Sequence, residues 1–233
     1  MKKCPKCGSN KTASIVYGLI SPDEETKRAL ENHEIILGGC CISDEDPKFY
    51  CFDCAKEFGT PPFYTDETGV FKKDLRETVT SVYFSYGGFF GGYDNFLIEK
   101  TQSGIVSNYL HLPIATKSRN PVSRELSYKE WEKLMNAFYS KMFVHEWDGE
   151  YVNYDILDGT QWSLELRLED GSVKRYHGSN AFPPYWEELK KLFEPYFVGP
   201  SINENDKVKT MEWFIRRIIR IKNENDRYSP DRQ

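Results

Sequence analysis

The chain is short of histidine and methionine, with four of each in 233 residues, and it has no excess of positive charge and no long apolar run. Each shortage removes a class of protein. Lys and Arg number 31 against 36 Asp and Glu, a formal charge of −5, so a surface built to neutralise phosphate backbones is not expected and nucleic acid is an unfavoured partner. No segment approaches the roughly 20 apolar residues that a membrane helix needs. The opening Met-Lys-Lys-Cys-Pro-Lys-Cys has no apolar stretch behind its lysines, so no secretory leader is expected, and the cytoplasm is the expected compartment. A phosphate-cradling Gly-rich loop with a Lys, a Gly-x-Ser-x-Gly elbow and a His-Glu-x-x-His pair are all missing, which leaves nucleotide hydrolysis, serine-hydrolase and zincin chemistry without their usual marks.

What the chain does have is cysteine at one end. All six cysteines precede residue 55, a placement that reads as metal binding in a reducing compartment rather than as crosslinks. Four of them form two Cys-x-x-Cys turns, Cys4-Pro5-Lys6-Cys7-Gly8 and Cys51-Phe52-Asp53-Cys54. Such a turn presents two thiolates from one tight bend, and two turns supply the four soft ligands that zinc takes in a tetrahedron. Pro5 presets φ in the first turn, and Gly8 can take the positive φ that the bend demands. The expected metal ligands are therefore Cys4, Cys7, Cys51 and Cys54, around a structural Zn2+.

At these residues the chain resembles the zinc-ribbon and rubredoxin-like knuckle families, whose four cysteines map onto these four and whose metal is usually structural. Two departures stand out. The knuckles lie much further apart than the common pattern of roughly 15–20 residues, and Ala55 follows Cys54 where a glycine would ease the turn. The wider frame, with Val16-Tyr17-Gly18 and Leu37-Gly38-Gly39-Cys40 between the knuckles, is similar to the N-terminal module of certain bacterial proteins. This resemblance covers the first quarter of the chain and implies no activity. Cys40 and Cys41 point to opposite sides if they sit near a strand end; one is expected as a small buried hydrophobe and the other as a bystander, with Cys40 as a spare ligand the sharper alternative.

The expected fold class is α+β, with a zinc-ribbon-like module over residues 1–59, a mixed and mainly antiparallel sheet domain with helices on one face over 60–200, and a linker, amphipathic helix and charged tail over 201–233. In the first unit, strands are expected at Ala13 to Tyr17 and Glu34 to Leu37, with a third reaching Cys51. Between them Ser21-Pro22-Asp23-Glu24-Glu25 supplies a cap, a proline at the first helical position and acids in the first turn, so a helix should run to about Asn32. Thr60-Pro61-Pro62 is a stiff joint.

A weak internal repeat runs through the second unit, over 78–141 and 151–193. Its two copies end in Trp131-Glu132-Lys133-Leu134 and Trp186-Glu187-Glu188-Leu189. Ser127 and Glu130 form a capping box, and Tyr128, Trp131, Leu134, Met135, Phe138 and Met142 recur at helical spacing as a core stripe. Gln161 to Leu168 alternates, with Trp162, Leu164, Leu166 and Leu168 on an apolar face and Gln161, Ser163, Glu165 and Arg167 on a polar one. Val208 to Lys222 places Met211, Phe214, Ile215, Ile218 and Ile219 on a stripe beside Arg216, Arg217, Arg220 and Lys222. That helix is expected to dock on the core of its own chain, with a membrane-surface or partner-binding helix, or a homo-oligomer through 207–222, as the alternatives.

Three groups of residues are candidate sites. Tyr86, Phe89, Phe90 and Tyr93, interleaved with four glycines, make either a binding loop or a packed hairpin end. Asp158, His177 and Asn180 could gather at one sheet edge as a catalytic set. Their convergence depends on hairpin register, because a two-residue Asp170-Gly171 turn sends His177 to the apolar face and a three-residue turn sends it to the polar one. His145-Glu146-Trp147-Asp148 offers metal-ligand types at a spacing that a strand would make diverge. The function expected from all this is recognition of another protein by an aromatic-rich, zinc-stabilised chain, with an enzyme at Asp158, His177 and Asn180 or a nucleic-acid-binding ribbon as alternatives.

Overall fold

The computed structural model describes residues 2–21, 23–65, 72–88, 91–112, 122–156 and 158–199, with the single positions 212 and 216. The protein is α+β, as its pattern of elements predicts. A small mixed sheet at the N-terminus contains β1 (Thr12–Val16), β2 (Ile35–Leu37), β3 (Phe49–Cys51) and β4 (Lys56–Phe58) in the order β2-β1-β3-β4. Only the β1–β2 pair is parallel. The crossover that a parallel pair requires is the insertion between the knuckles, which carries α1 (Glu24–Glu31). The cap of α1 is Asp23, whose side chain accepts from Thr26 N at 2.7 Å, so the helix starts two residues later than a Ser21 cap would place it.

After the short pair β5 (Phe63–Thr65) and β6 (Lys72–Asp74) and the single turn α2 (Leu75–Thr78), the chain builds a seven-stranded sheet. Its strands are β7 (Val79–Gly88), β8 (Gly92–Thr101), β9 (Gly104–Leu112), β10 (Val122–Leu126), β11 (Glu150–Val152), β12 (Gln161–Leu168) and β13 (Val173–Ser179). The order is β10-β9-β8-β7-β12-β13-β11, antiparallel except for β11 on β13. Helix α3 (Tyr128–Asn136), continued by a π-helical turn over Ala137–Lys141, and α4 (Trp186–Phe193) pack on one face. The capping box of Ser127 and Glu130 forms as predicted.

Between that face and the helices lies an aromatic core. Phe84 and Phe96 on adjacent strands meet Phe193 of α4 at ring-centroid distances of 4.6 and 5.1 Å. Trp131, Leu134, Met135, Phe138 and Met142 of the predicted stripe are buried. Tyr128 is the exception and is exposed, because it opens the first turn of α3, before the helix has come over the sheet. The tetrads of the apparent repeat both turn Trp and Leu inward, at Trp131 and Leu134 and at Trp186 and Leu189.

The small sheet rests on the same core. Phe49 and Phe58 pack edge-on against Phe143, and Cys4, Cys51 and Phe58 belong to the apolar cluster that holds Phe84 and Trp186. No described helix is long and apolar enough to cross a membrane.

Candidate metal centre

Cys4 and Cys7 come from the loop before β1, and Cys51 and Cys54 from the end of β3 and the turn into β4. Pairing of β1 with β3 sets Thr12 opposite Cys51, which carries the second knuckle to the first across 44 residues of sequence. The four Sγ atoms all lie within 4.8 Å of one another. Cys4 Sγ is 3.7 Å from Cys54 Sγ, and Cys7 Sγ is 3.5 Å from Cys51 Sγ. A tetrahedron with Zn–S bonds of about 2.3 Å has sulfur–sulfur edges of about 3.8 Å, so a zinc-sized ion fits this cluster. Neither disulfide pairing nor a thioredoxin-like setting competes, since all six cysteines are free, and the first turn precedes the β1-α1-β2 unit instead of joining its strand to its helix.

Each turn aims backbone N–H groups at sulfur. Burial pushes the Cys4 thiol up, against the N–H groups of Cys7 and Lys6 that donate to its Sγ. Burial acts upward on Cys51 as well, yet the N–H groups of Cys54 and Asp53, with the neighbouring thiols, hold it below the usual thiol range. Cys54 is pushed up to about 12, first by burial and then by its contacts with Cys7 and Cys51. Four crowded sulfurs cannot all ionise by themselves, and a divalent cation is the natural remedy. Gly8 and Ala55 close the two turns with φ of +76° and +55°.

Other side chains hold the two knuckles together and tie them to the rest of the fold. Asp53 accepts from Ser9 Oγ at 2.6 Å and from Lys11 Nζ at 3.1 Å, and these partners keep its carboxyl below the ordinary range. Lys3 pairs with Glu188 of α4 at 2.5 Å, Lys6 pairs with Asp148 at 2.8 Å, and Tyr185 donates its hydroxyl to Lys3 O. Glu146 Oε1 accepts from Gly59 N, Thr60 N and Thr60 Oγ1 at 2.8, 2.8 and 2.9 Å. The segment predicted as a divergent strand is a 3-10 turn over Val144–Glu146, and it uses His145 and Glu146 as anchors for the joint at Thr60. His145 Nε2 lies 2.9 Å from Thr60 O and so carries the proton there.

Cys40 and Cys41 are both exposed, and neither sulfur belongs to the cluster. The expectation of one buried thiol fails: Gly38 and Gly39 stay bonded to Val16 O and Gly18 N beyond the end of β2, but the two cysteines that follow stand in solvent.

The remaining candidate residues are placed as follows. Leu168 N donates to Ser172 O at 2.9 Å, so the turn that closes the β12–β13 hairpin is Glu169-Asp170-Gly171, with Arg167 opposite Val173 and Gly171 at φ +85°. His177 therefore pairs with Ser163 on the face away from the helices and is exposed. Asn180 donates to Ile156 O at 3.2 Å and lies so close to Gly159 that a Cβ there would clash with it. Asp158 is exposed, and no hydrogen bond joins it, His177 and Asn180 among the described residues. Tyr86 packs on Phe84 and Trp186 on the helix-covered face, whereas Tyr93, opposite Gly87, belongs to the other. Phe89 and Phe90 lie outside the described residues. His111 places its Nδ1 2.8 Å from Asp94 Oδ1, which also accepts from Tyr109 OH at 2.7 Å. That contact is cross-strand and follows from the β8–β9 register.

No family model, no curated protein and no solved structure matches this chain. Its fold and site define an α+β protein whose small N-terminal mixed sheet carries a four-cysteine cluster able to hold a metal ion such as zinc.

Proposed function

We propose that the chain is a zinc-stapled protein-recognition module, in which the ion fixes the base of the small sheet and the insertion between the knuckles meets another protein. The observation that carries this reading is the concentration of apolar surface on that insertion. Leu19 is fully exposed, Ile42 is 75% exposed and Leu37 is 56% exposed, while α1 buries none of its residues. β2, with the sequence Ile-Ile-Leu, is an outer strand whose one neighbour among the described residues is β1. Outer strands are ordinarily blunted by charge, proline, a bulge or shortness, and β2, three residues long, has only the last of these. An extended segment of a partner chain, adding to β2 and covering Leu37 and Ile42, is the occupant that suits it.

The surroundings are acidic, with Glu24, Glu25, Glu31, Glu34, Asp44, Glu45 and Asp46 against Lys27, Arg28 and Lys48. A partner segment with basic flanks is favoured, and a phosphate backbone is repelled. The ion's part is structural: held by Cys4, Cys7, Cys51 and Cys54, it would supply a rigid base and no chemistry of its own.

The test is capture of strand-forming peptides from a displayed library by the zinc-loaded chain. Selected peptides should be apolar with basic flanks. Their binding should weaken at least about tenfold, some 1.4 kcal/mol, in a Leu37→Lys, Ile42→Asp variant of unchanged melting temperature. Equal binding by that variant would remove the proposal.

A further inference from the structure

We infer that the cleft between α2 and the first turns of α3 binds a free aromatic amino acid, with its carboxylate on Lys100 and its ammonium on Glu77 and Glu132. The cleft opens at the far end of β8 and has a volume of about 370 Å³. That lies at the low end of the range for small-molecule sites, so it suits a metabolite better than a segment of protein. It is a site separate from the proposed recognition surface, since no residue of the insertion between the knuckles lines it.

Three observations point to the ligand. The first is a cation that lacks an anion. Lys100 follows Phe96 and Ile98 onto the helix-covered face, where its Nζ sits 4.8 Å from the centroid of the Trp131 ring. Among the described residues that Nζ has no ion pair and no hydrogen bond, and burial pushes the ammonium below the ordinary lysine range. An ammonium that has given up part of its water for an aromatic face still gains from a carboxylate. Trp131 lines the same cleft, and its Nε1 is likewise buried with no acceptor among the described residues. Arg76 does not compete for the anion. Its Nε donates to both oxygens of Asp74 at 2.9 Å, and its Nη1 donates to Asn136 and Ser140 at 3.3 and 3.2 Å.

The second observation is the opposite charge on the rim. Glu77 and Glu132 are exposed, line the cleft and form no ion pair among the described residues. A simple anion would meet these two carboxylates and a simple cation would meet Lys100, whereas a zwitterion satisfies both signs. The third is apolar surface between the charges. Tyr128 begins the core stripe of α3 yet is 72% exposed, and it lines the cleft with Met135. A ligand ring packed offset or edge-on would cover Tyr128, which selects an aromatic amino acid over a small one.

Calorimetric titration of the zinc-loaded full-length protein with L-phenylalanine tests this site. The amino acid should bind with a Kd below about 1 mM, and two analogues, 3-phenylpropanoate without the ammonium and 2-phenylethylamine without the carboxylate, should each bind at least about tenfold more weakly. Lys100→Gln, at an unchanged melting temperature, should weaken L-phenylalanine by at least about tenfold. A Kd for L-phenylalanine above about 1 mM, equal binding of either analogue, or parental affinity in the folded Lys100→Gln protein would each overturn the proposal. Should that variant fail to fold, the analogues decide the question, because they are read on the unaltered chain.

Discussion

Gly8 and Ala55 are structural counterparts, each the residue after the second cysteine of a knuckle and each in left-handed backbone, at φ +76° and +55°. Glycine takes that region freely, whereas an alanine there carries a steric cost of about 1–2 kcal/mol. Part of that cost returns as glycine's larger freedom in the unfolded chain. Ala55→Gly should therefore stabilise the zinc-loaded protein by about 0.5–1 kcal/mol, and Gly8→Ala, whose added Cβ would meet Pro184 Cβ at an ordinary 3.5 Å, should destabilise it by about 0.5–1 kcal/mol. Paired urea titrations of the metal-loaded proteins measure both, and a destabilised Ala55→Gly variant would contradict the account of the turn.

Removing the metal should reach past the small sheet. Cys4 and Cys51 are completely buried and share a cluster with Phe58, Phe84 and Trp186, so a chelator or Cys51→Ser should disorder the packing of Phe49 and Phe58 on Phe143 as well as the knuckles. The expected result is one zinc per chain by elemental analysis in the parent, little in the variant, and a lower melting temperature in the zinc-depleted forms. Acid should release the ion too, because the ligands must be thiolates.

Glu146 offers a second, metal-independent lever on the same junction. One carboxylate oxygen accepts three hydrogen bonds from Gly59 and Thr60, and its loss would strand these partly buried donors. Glu146→Ala should cost about 2–4 kcal/mol without altering zinc stoichiometry. It should also make the Thr60-Pro61-Pro62 joint more sensitive to proteases. Wild-type stability in this variant would show that the joint does not depend on the carboxylate.

The neighbouring His145 gives the pH dependence a sign. Burial holds its imidazole below the ordinary histidine range, against Thr60 O, Glu146 and Asp74, which act in the other direction. Its Nδ1 is buried without a hydrogen-bond partner among the described residues. The folded protein thus keeps His145 neutral where the unfolded chain protonates it, and the unfolded state binds more protons below the usual value of about 6.5. Stability should fall as pH drops from about 6.5 toward the depressed folded value. His145→Gln should be less sensitive than the parent between pH 7.5 and pH 5.5 when both carry zinc, and parallel curves would exclude the imidazole as the source.

Short-range chemistry was readable from the residues in order. The two Cys-x-x-Cys turns, the Ser127–Glu130 capping box and the alternation of Trp162 to Leu168 depend on contacts within a few positions, so the amino-acid string determined them. It also determined that Ala55 would sit uneasily in its turn. Everything set by register or by a distant partner had to wait for the fold. The β12–β13 loop turned out to hold three residues, which moved His177 to the face away from the helices. The β8–β9 pairing gave His111 its carboxylate, and the 3-10 turn at Val144–Glu146 made anchors of two residues that a strand would have splayed. Glu165, on the seemingly polar face of β12, is buried, because burial depends on a residue's surroundings in the fold and alternation reports only which side it takes. Spacing along the chain named the four sulfurs; pairing of β1 with β3 brought them within one ion's reach.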